Sequence, residues 1–200
     1  MDKGAHGYIK YKKKNQLRNT IIIALVIVII FVVGYLLNDN SKNNVFTILA
    51  ILLVLPGAKI LVGYIVVAPY HSMDDKEYEE VCKVVSNSAS MLSDLVITSP
   101  DKVMNLDCAI IDDHHVIALL GKAGQDTSYI QTYLSRMIKN QGYNCEVKVL
   151  TDYGKFLSRV KTLGITKEQI NARNESKQNK ANSSSGEREK IVSLLKTLIV

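Results

Sequence analysis

The sequence TIIIALVIVIIFVVGYLL occupies residues 20–37 and contains no charged side chain. A second apolar stretch, VFTILAILLVLPGAKILVGYIVVA, occupies residues 45–68 and carries Lys59 as its one charge. A helix that rises about 1.5 Å per residue crosses the hydrocarbon of a bilayer in roughly 20 residues. Each stretch is long enough to do so, and the polar residues NDNSKNN, 38–44, join them. The pattern predicts a transmembrane hairpin of two α-helices, 20–37 and 45–68.

The basic residues are concentrated at the start of the chain. Residues 1–69 contain eight Lys and Arg against two Asp, whereas residues 70–200 contain 17 basic and 17 acidic side chains. By the positive-inside rule, the basic tail 1–19 and everything after residue 68 lie in the cytoplasm. We therefore expect a multi-pass protein of a bacterial inner membrane with both termini cytoplasmic. The neutral balance after residue 69 argues against nucleic acid as a partner.

Five cations in the tail 1–19 stand close to the first apolar stretch: Lys10, Lys12, Lys13, Lys14 and Arg18. Such residues meet the phosphates of anionic lipids at the membrane surface, which makes membrane lipid an expected partner. The same residues also act as a signal that orients the first helix. The sequence favours this orienting role over a specific lipid site.

The second apolar stretch is interrupted near its middle by Pro56, Gly57 and Lys59. Proline permits a kink, and glycine lets another helix come close. A lysine at that depth costs a few kcal/mol unless it pairs, meets water or reaches the interface. Lys59 therefore either contacts an acidic residue of a partner or belongs to a tilted or re-entrant segment. Two helices cannot enclose a transport pathway, so conduction would require an oligomer or partner subunits.

Past residue 69, the spacing of apolar residues becomes that of a water-soluble domain, placed at 69–164. Helical spacing predicts an amphipathic helix over 74–93. Branched apolar runs predict strands at 94–99, which also fits the end of that helix, and at 106–111, 116–120 and 145–150. Amphipathic helices follow the third and fourth runs, each after a capping residue. The predicted cytoplasmic α/β domain has the element order α-β-β-β-α-β-α.

Two segments follow this domain. Residues 165–188 are rich in Asn, Ser and Lys, have little apolar surface to bury and are predicted to be a polar linker. Residues 189–200 place Ile and Leu at helical spacing, which predicts an amphipathic tail helix. This helix is too short to span a bilayer and would dock on protein or on lipid.

The residues DDHH at 112–115 are the strongest candidates for metal ligands, but they fall in a predicted hairpin turn. Adjacent residues of a strand point to opposite faces, and turns favour Asp for local backbone bonding, so a solvated turn is the preferred interpretation. Cys82, Cys108 and Cys145 lack metal-ligand spacing and are expected to be reduced, mostly buried thiols. No metal and no cofactor is expected.

The stretch LDCAIIDDHHVIALLGK, 106–122, followed by a helix and another strand, resembles the restriction-endonuclease-like core. It looks most like the nuclease-related domains attached to membrane helices in bacteria. In those domains an Asp on one strand and a Glu-x-Lys on its hairpin partner hold a divalent metal. The resemblance puts Asp107 at the first acid and Lys122 at the lysine, but Leu120 at the glutamate. Because leucine cannot bind a metal, the site is expected to be vestigial. An α/β domain of another topology is the alternative.

The sequence therefore favours a membrane-anchored, non-catalytic cytoplasmic scaffold or interaction module, with a protein partner or a second copy of itself. No small-molecule substrate is indicated. One alternative is a metal-dependent nuclease that uses Asp107 and Lys122 with an acid from elsewhere, such as Asp112, Asp113 or Glu80. Another is a small subunit of a transporter or lipid-handling membrane complex, in which Lys59 would be a working residue.

Overall fold

The computed structural model describes residues 1–38, 41, 44–85, 89–112, 114–174 and 181–200, with the backbone alone described in 164–174 and 181–185. The chain divides into two compact units. Lys10–Pro69 forms the first, and Met1–Ile9 together with Tyr70–Val200 forms the second. Two long apolar helices are thus followed by a small mixed α/β domain, which also incorporates the first residues of the chain.

The first unit is the apolar hairpin, formed by α1 (Tyr8–Leu37) and α2 (Val45–Val67). Both helices are long and apolar enough to cross a membrane, as judged by length and composition. The helix α1 begins at Tyr8, ahead of the apolar stretch at 20–37, so most of the basic tail is helical. Asn44 caps α2, since its side chain accepts a hydrogen bond from the Thr47 amide at 2.8 Å and donates one to the Gly34 carbonyl at 3.1 Å.

Glycines let the two helices of the hairpin approach each other. A Cβ atom on Gly34 would lie 2.3 Å from the Cβ of Phe46, and one on Gly63 would lie 2.5 Å from the Gln16 amide nitrogen. Gly57 is buried, and its nearest neighbours across the interface are Ile23 and Ile27. Close approach of this kind is what small residues provide between helices surrounded by lipid.

The α/β unit contains the remaining elements in the order predicted from the sequence, including the tail helix expected over 189–200. Its elements are α3 (Asp75–Val84), β1 (Ser90–Thr98), β2 (Val103–Ile111), β3 (His115–Leu120), α4 (Thr127–Asn140), β4 (Glu146–Leu150), α5 (Tyr153–Asn174) and α6 (Ala181–Leu198). The four strands lie in the order β1-β2-β3-β4. Strands β1, β2 and β3 pair antiparallel, and β4 pairs parallel to β3, so that α4 forms the crossover between them.

Helices cover both faces of this sheet, because the strands are apolar on both sides. On one face, α4 and α6 contribute the buried residues Ile130, Leu134, Ile138, Ile191 and Leu195. On the other face, α3 and α5 contribute Val81, Phe156, Leu157 and Val160. The unit is therefore a three-layer α/β/α arrangement.

The helix predicted over 74–93 is shorter in the structure, and this part of the prediction was wrong. The helix α3 ends at Val84, and Val85 already has an extended backbone conformation. Leu92 belongs to β1, where it pairs with Ala109 and is buried against the sheet. Its helical spacing from Val81 and Val85 is coincidental, because Leu92 is buried on the opposite face of the sheet, in the core that α4 and α6 cover.

The tail helix docks on protein. Helix α6 begins at Ala181, and its residues Ile191 and Leu195 are fully buried in the domain core. Beyond the helix, Ile199 forms a bridge with Ile97 on β1, and the Val200 amide donates to the Val96 carbonyl at 2.9 Å. Within the predicted linker 165–188, the chain is helical up to Asn174 and again from Ala181, and residues 175–180 lie outside the described residues.

The N-terminal segment, Met1–Ile9, lies along the same edge strand. The Ser93 amide on β1 donates a hydrogen bond to the Gly4 carbonyl at 2.8 Å. Gly4 has a φ of 84°, and a Cβ there would lie 2.7 Å from the Leu92 side chain, so glycine is required at this contact. An edge strand with free backbone groups invites pairing with other chains, and this segment covers part of β1.

Candidate functional site

Asp94 is a buried carboxylate inside an otherwise apolar strand. It lies within β1, is fully buried and has a φ of 56°, a left-handed conformation that Asp adopts more readily than most residues. Its neighbours Ser93 and Leu95 stay paired with Cys108 and Leu106 on β2. A buried carboxylate is costly unless hydrogen bonds satisfy it, so its partners reveal its role.

Two backbone amides satisfy this carboxylate. The Ile9 amide donates to Oδ2 of Asp94 at 3.3 Å, and the Met73 amide donates to Oδ1 at 3.2 Å. Ile9 lies in the first turn of α1, which has no acidic residue of its own, and Met73 lies between α2 and α3. Asp94 thus satisfies an amide that the helix leaves free. A single side chain binds both chain segments that flank the apolar hairpin.

Further contacts hold the N-terminal segment on the α/β unit. The His6 Nε2 atom lies 2.8 Å from Oδ1 of Asp75, and the His6 ring stacks on Tyr78 with 4.1 Å between ring centroids. The Tyr8 hydroxyl donates to the Val200 carbonyl at 3.2 Å. Lys3 donates through Nζ to the Ile199 carbonyl. The segment that precedes the hairpin is therefore part of the folded domain.

Asp107, the predicted first acid of the vestigial site, lies on β2 near Asp94. Burial is the main cause that raises the pKa of Asp107 to about 7, and the negative charges of Asp94 and Glu77 add to the effect. Among the described residues, no hydrogen bond or ion pair reaches the Asp107 carboxyl. The buried position of Asp107 and the neighbouring negative charges therefore stabilise the protonated form of its carboxyl group up to near neutral pH.

Gly121 makes room for this carboxyl group. A Cβ atom on Gly121 would lie 2.4 Å from Oδ1 of Asp107 and 2.2 Å from Oδ1 of Asn105. The Gly121 amide donates to the Asn105 carbonyl at 3.1 Å, and the pairing register between β2 and β3 shifts between Leu106 and Cys108. A bulge of this kind re-aims a strand side chain, here that of Asp107.

Lys122, the lysine that the resemblance assigns to the vestigial site, lies beside an aromatic ring. Lys122 is exposed, and its Nζ atom lies 5.7 Å from the centroid of the Tyr70 ring. No salt bridge joins Lys122 to Asp107 within the described part of the chain. Leu120, at the position of the family's glutamate, is buried in the core and pairs with Leu106.

The other acids considered for this site have different neighbours. Oε2 of Glu80 accepts a hydrogen bond from the Tyr153 hydroxyl at 2.9 Å, and Oδ2 of Asp112 lies 4.0 Å from Nδ1 of His115. Asp113 lies outside the described residues. The acids whose charges act on Asp107 are Asp94 and Glu77, which the sequence analysis did not consider.

Between β2 and β3, the Asp112 amide donates a hydrogen bond to the His115 carbonyl at 2.8 Å. His115 lies between two carboxylates, 4.0 Å from that of Asp112 and 3.8 Å from that of Glu146. His114 is exposed. In the ranges that the structure describes, no group of three or more His, Cys, Asp or Glu side chains could hold a metal ion.

Gly57 and its neighbours Pro56 and Lys59 differ in burial on α2. Gly57 is buried against α1, whereas Pro56 and Lys59 are exposed on α2. The apolar stretches 20–37 and 45–68 contain no Asp or Glu that could pair with Lys59. On α1, Lys10, Lys14 and Arg18 are exposed, and Lys12 and Lys13 are half-buried.

Sequence reasoning missed Asp94 as a structural centre. The available signal was an Asp at the head of the apolar run DLVITS, 94–99, a run that fits either a strand or the end of the preceding helix. Comparison of the chain with protein-family models, curated proteins and solved structures finds no match. What the fold and site define is a mixed α/β domain in which one buried carboxylate binds both chain segments that flank an apolar helical hairpin.

Proposed function

We propose that this protein is a membrane-anchored, non-catalytic scaffold or interaction module. The apolar hairpin anchors it in the bilayer, and the α/β unit presents its surface in the cytoplasm to a protein partner or a second copy of the chain. The single observation that carries this proposal is the Asp94 carboxylate, which bonds to the amides of Ile9 and Met73 and so ties both flanks of the hairpin to the domain.

The same-side arrangement of the N-terminal segment and the domain supports the proposed topology. Met1–Ile9 and Tyr70–Val200 form one compact unit, so both flanks of the hairpin belong on one side of a membrane that it crosses. Six basic residues precede position 20, and Lys42 is the only basic residue of the turn 38–44. By the positive-inside rule, we assign the domain to the cytoplasm.

The non-catalytic assignment is supported by the surroundings of Asp107. Its carboxyl lacks a cationic partner, Leu120 replaces a ligand with an apolar core residue, and Lys122 lies over the Tyr70 ring. Metal-dependent hydrolysis of a phosphodiester requires charged ligands that hold the metal and position water. The pKa of Asp107, raised to about 7, also weakens its capacity to bind a cation at neutral pH.

The test uses the full-length protein in lipid nanodiscs, the variant Asp107→Ala and the matched control Asp101→Ala, which removes an exposed acid. Samples receive Mg²⁺ or Mn²⁺ with single-stranded or double-stranded DNA. We expect no cleavage by any of the three and the same oligomeric state in each. Cleavage that requires metal and disappears in Asp107→Ala alone would overturn the scaffold proposal in favour of the nuclease.

A second candidate function, a small subunit of a membrane complex, is favoured by Lys59. This lysine is exposed on α2, and the apolar stretches of the chain contain no acidic residue. An acidic residue on another protein's membrane helix would offset the cost of a buried charge. Native gels of solubilised membranes should then show a complex that Lys59→Leu disrupts and Lys59→Arg retains. An unchanged complex in Lys59→Leu would contradict this function.

A further inference from the structure

Three exposed cations lie on one face of α1, directly before its apolar stretch. Lys10, Lys14 and Arg18 are four residues apart, a spacing that brings side chains onto the same face of a helix. We call this set the basic face. Because α1 runs unbroken from Tyr8 to Leu37, the basic face and the apolar stretch belong to one helix. The position of each cation along the helix is therefore defined relative to the apolar stretch.

The three cations of the basic face lie at different distances from the apolar stretch. With a rise of about 1.5 Å per residue, Arg18 lies about 3 Å before Thr20, Lys14 about 9 Å and Lys10 about 15 Å. The headgroup layer on each side of a bilayer is roughly 5–7 Å thick. Arg18 therefore lies at the depth of the lipid phosphates, Lys14 lies just outside them, and Lys10 lies in water.

The cations nearest the membrane have no carboxylate partner among the described residues. No ion pair involves Lys14 or Arg18, and the contact of Arg18 is with the neutral Asn15 side chain, at 2.5 Å. The sequence contains no acidic residue between Asp2 and Asp39. An arginine guanidinium binds phosphate oxygens in a two-pronged geometry, so an anionic phosphate complements this position in both charge and shape.

We infer that the basic face binds the phosphate headgroup of an anionic phospholipid, with Arg18 as the principal contact and Lys14 as the second. The inference rests on the proposed membrane anchoring and adds the class of lipid that the anchor selects. The lipid's acyl chains lie beside the outward-facing apolar side chains of α1, such as Ile21 and Ile22, which continue directly from the basic face. The ligand is therefore a membrane lipid, whose headgroup and chains are both contacted by one helix.

The experiment measures lipid selectivity of the full-length protein in detergent by native mass spectrometry. Phosphatidylglycerol and phosphatidylcholine with identical acyl chains are added in equal amounts. The wild-type protein should bind the anionic lipid preferentially. Since one cation near an anionic surface contributes about a fivefold gain in binding, Arg18→Gln should lower the preference about fivefold. Lys14→Gln should lower it less, and Lys155→Gln, a control at an exposed lysine of the α/β unit, should leave it unchanged.

Two outcomes would overturn the inference. If all three variants lose the same amount of lipid preference, the overall positive charge attracts the lipid and no particular cation contacts its headgroup. If the wild-type protein shows no preference, there is no site. A third arm adds glycerol 1-phosphate, a soluble headgroup without acyl chains. We expect it to leave the preference unchanged, and competition by it would show a site for free phosphate instead of lipid.

Membrane insertion is measured separately, so that the failure of the inference can be told from the failure of the anchoring. Wild-type protein reconstituted in vesicles of phosphatidylcholine alone should stay with the vesicles after an alkaline wash, because the apolar hairpin holds it. If the protein stays with the vesicles but shows no selectivity for anionic lipid, the lipid site is contradicted and the membrane anchoring is retained. If the protein is lost from the vesicles, the lipid site and the membrane anchoring are both contradicted.

Discussion

The apolar hairpin exposes large apolar side chains, whereas the α/β unit buries them. In the hairpin, Leu55 and Leu37 are 72% and 71% exposed, whereas in helix α6 of the α/β unit Ile191 and Leu195 are 0% and 1% exposed. The α/β unit makes its own apolar surroundings by placing helices on both faces of a sheet. The hairpin has only two helices, which cannot cover each other, so its surroundings must be supplied by lipid or by other proteins. Within the α/β unit, the Asp94 carboxylate links the two chain segments that flank the hairpin, through the amides of Ile9 and Met73.

The largest expected effect comes from breaking that link. Asp94→Ala removes the acceptor for the amides of Ile9 and Met73 and leaves both buried without a partner. Each orphaned amide costs about 1–3 kcal/mol, so the α/β unit should lose about 4 kcal/mol of unfolding free energy. Denaturant unfolding of the full-length protein, followed by circular dichroism, measures this loss. Asp94→Asn retains one acceptor and should lose less, while equal losses in both variants would contradict the two-amide account.

Truncation of a buried leucine in α6 and of an exposed leucine in α2 tests the contrast between buried and exposed apolar side chains directly. Leu195→Ala deletes a buried side chain and should cost about 3 kcal/mol, as core leucines do. Leu55→Ala deletes an exposed one and should leave unfolding of the α/β unit unchanged. The same denaturant experiment reports both. If Leu195→Ala costs less than about 1 kcal/mol, the docking of α6 on its own domain is wrong.

A somewhat smaller effect is expected at Gly121. Gly121→Ala places a Cβ atom within 2.4 Å of both Asn105 and Asp107 side-chain oxygens, which forces these side chains to shift. Overpacking of this kind costs about 2 kcal/mol. Gly186→Ala is the matched control, since no atom lies within 4 Å of its added Cβ and the position is helical, so it should be neutral or stabilising. Thermal unfolding of the two variants at pH 7 gives the comparison, and equal effects would argue against a tight site at Gly121.

The smallest effect is expected from the pH dependence of Asp107. Because its pKa is raised from 3.8 to about 7 in the folded protein, the stabilisation from its bound proton is complete below about pH 4 and disappears as the pH rises through 7. After a discount for solvent screening of a half-buried group, the wild-type protein should lose about 1–2 kcal/mol between pH 5 and pH 8 that Asp107→Asn does not lose. Unfolding titrations at the two pH values measure the difference. Parallel pH profiles would mean that Asp107 titrates normally.

Much of the architecture is predictable from local patterns. The apolar stretches 20–37 and 45–68, the strands on either side of residues 112–114 and the helix between β3 and β4 all follow from neighbouring residues, and the structure contains each of them. The end of α3 was predicted wrongly because Leu92 satisfies helical spacing and strand burial equally. The start of α1 at Tyr8 was missed because hydropathy marks the apolar part of a helix and not its polar beginning.

The candidate site was less predictable than the fold. Asp107 and Lys122 were chosen by their resemblance to a motif, and the structure associates Asp107 with Asp94 and Glu77 instead. Asp94 could not have been found from its neighbours in sequence, because the amides that it binds belong to residues 9 and 73. Hydrogen bonds between such distant positions leave no periodic signal.

By itself, the sequence determined the two apolar helices, the order of strands and helices in the α/β unit, and the cations before the first apolar stretch. Each of these depends on residues within one turn or one strand of each other, where hydrophobic spacing and charge act locally. The tertiary structure alone decided that α6 belongs to the core, that Met1–Ile9 joins the α/β unit and that Asp94 binds both flanks of the hairpin. These contacts depend on which surfaces remain uncovered after the sheet has formed, and that is a property of the whole folded chain.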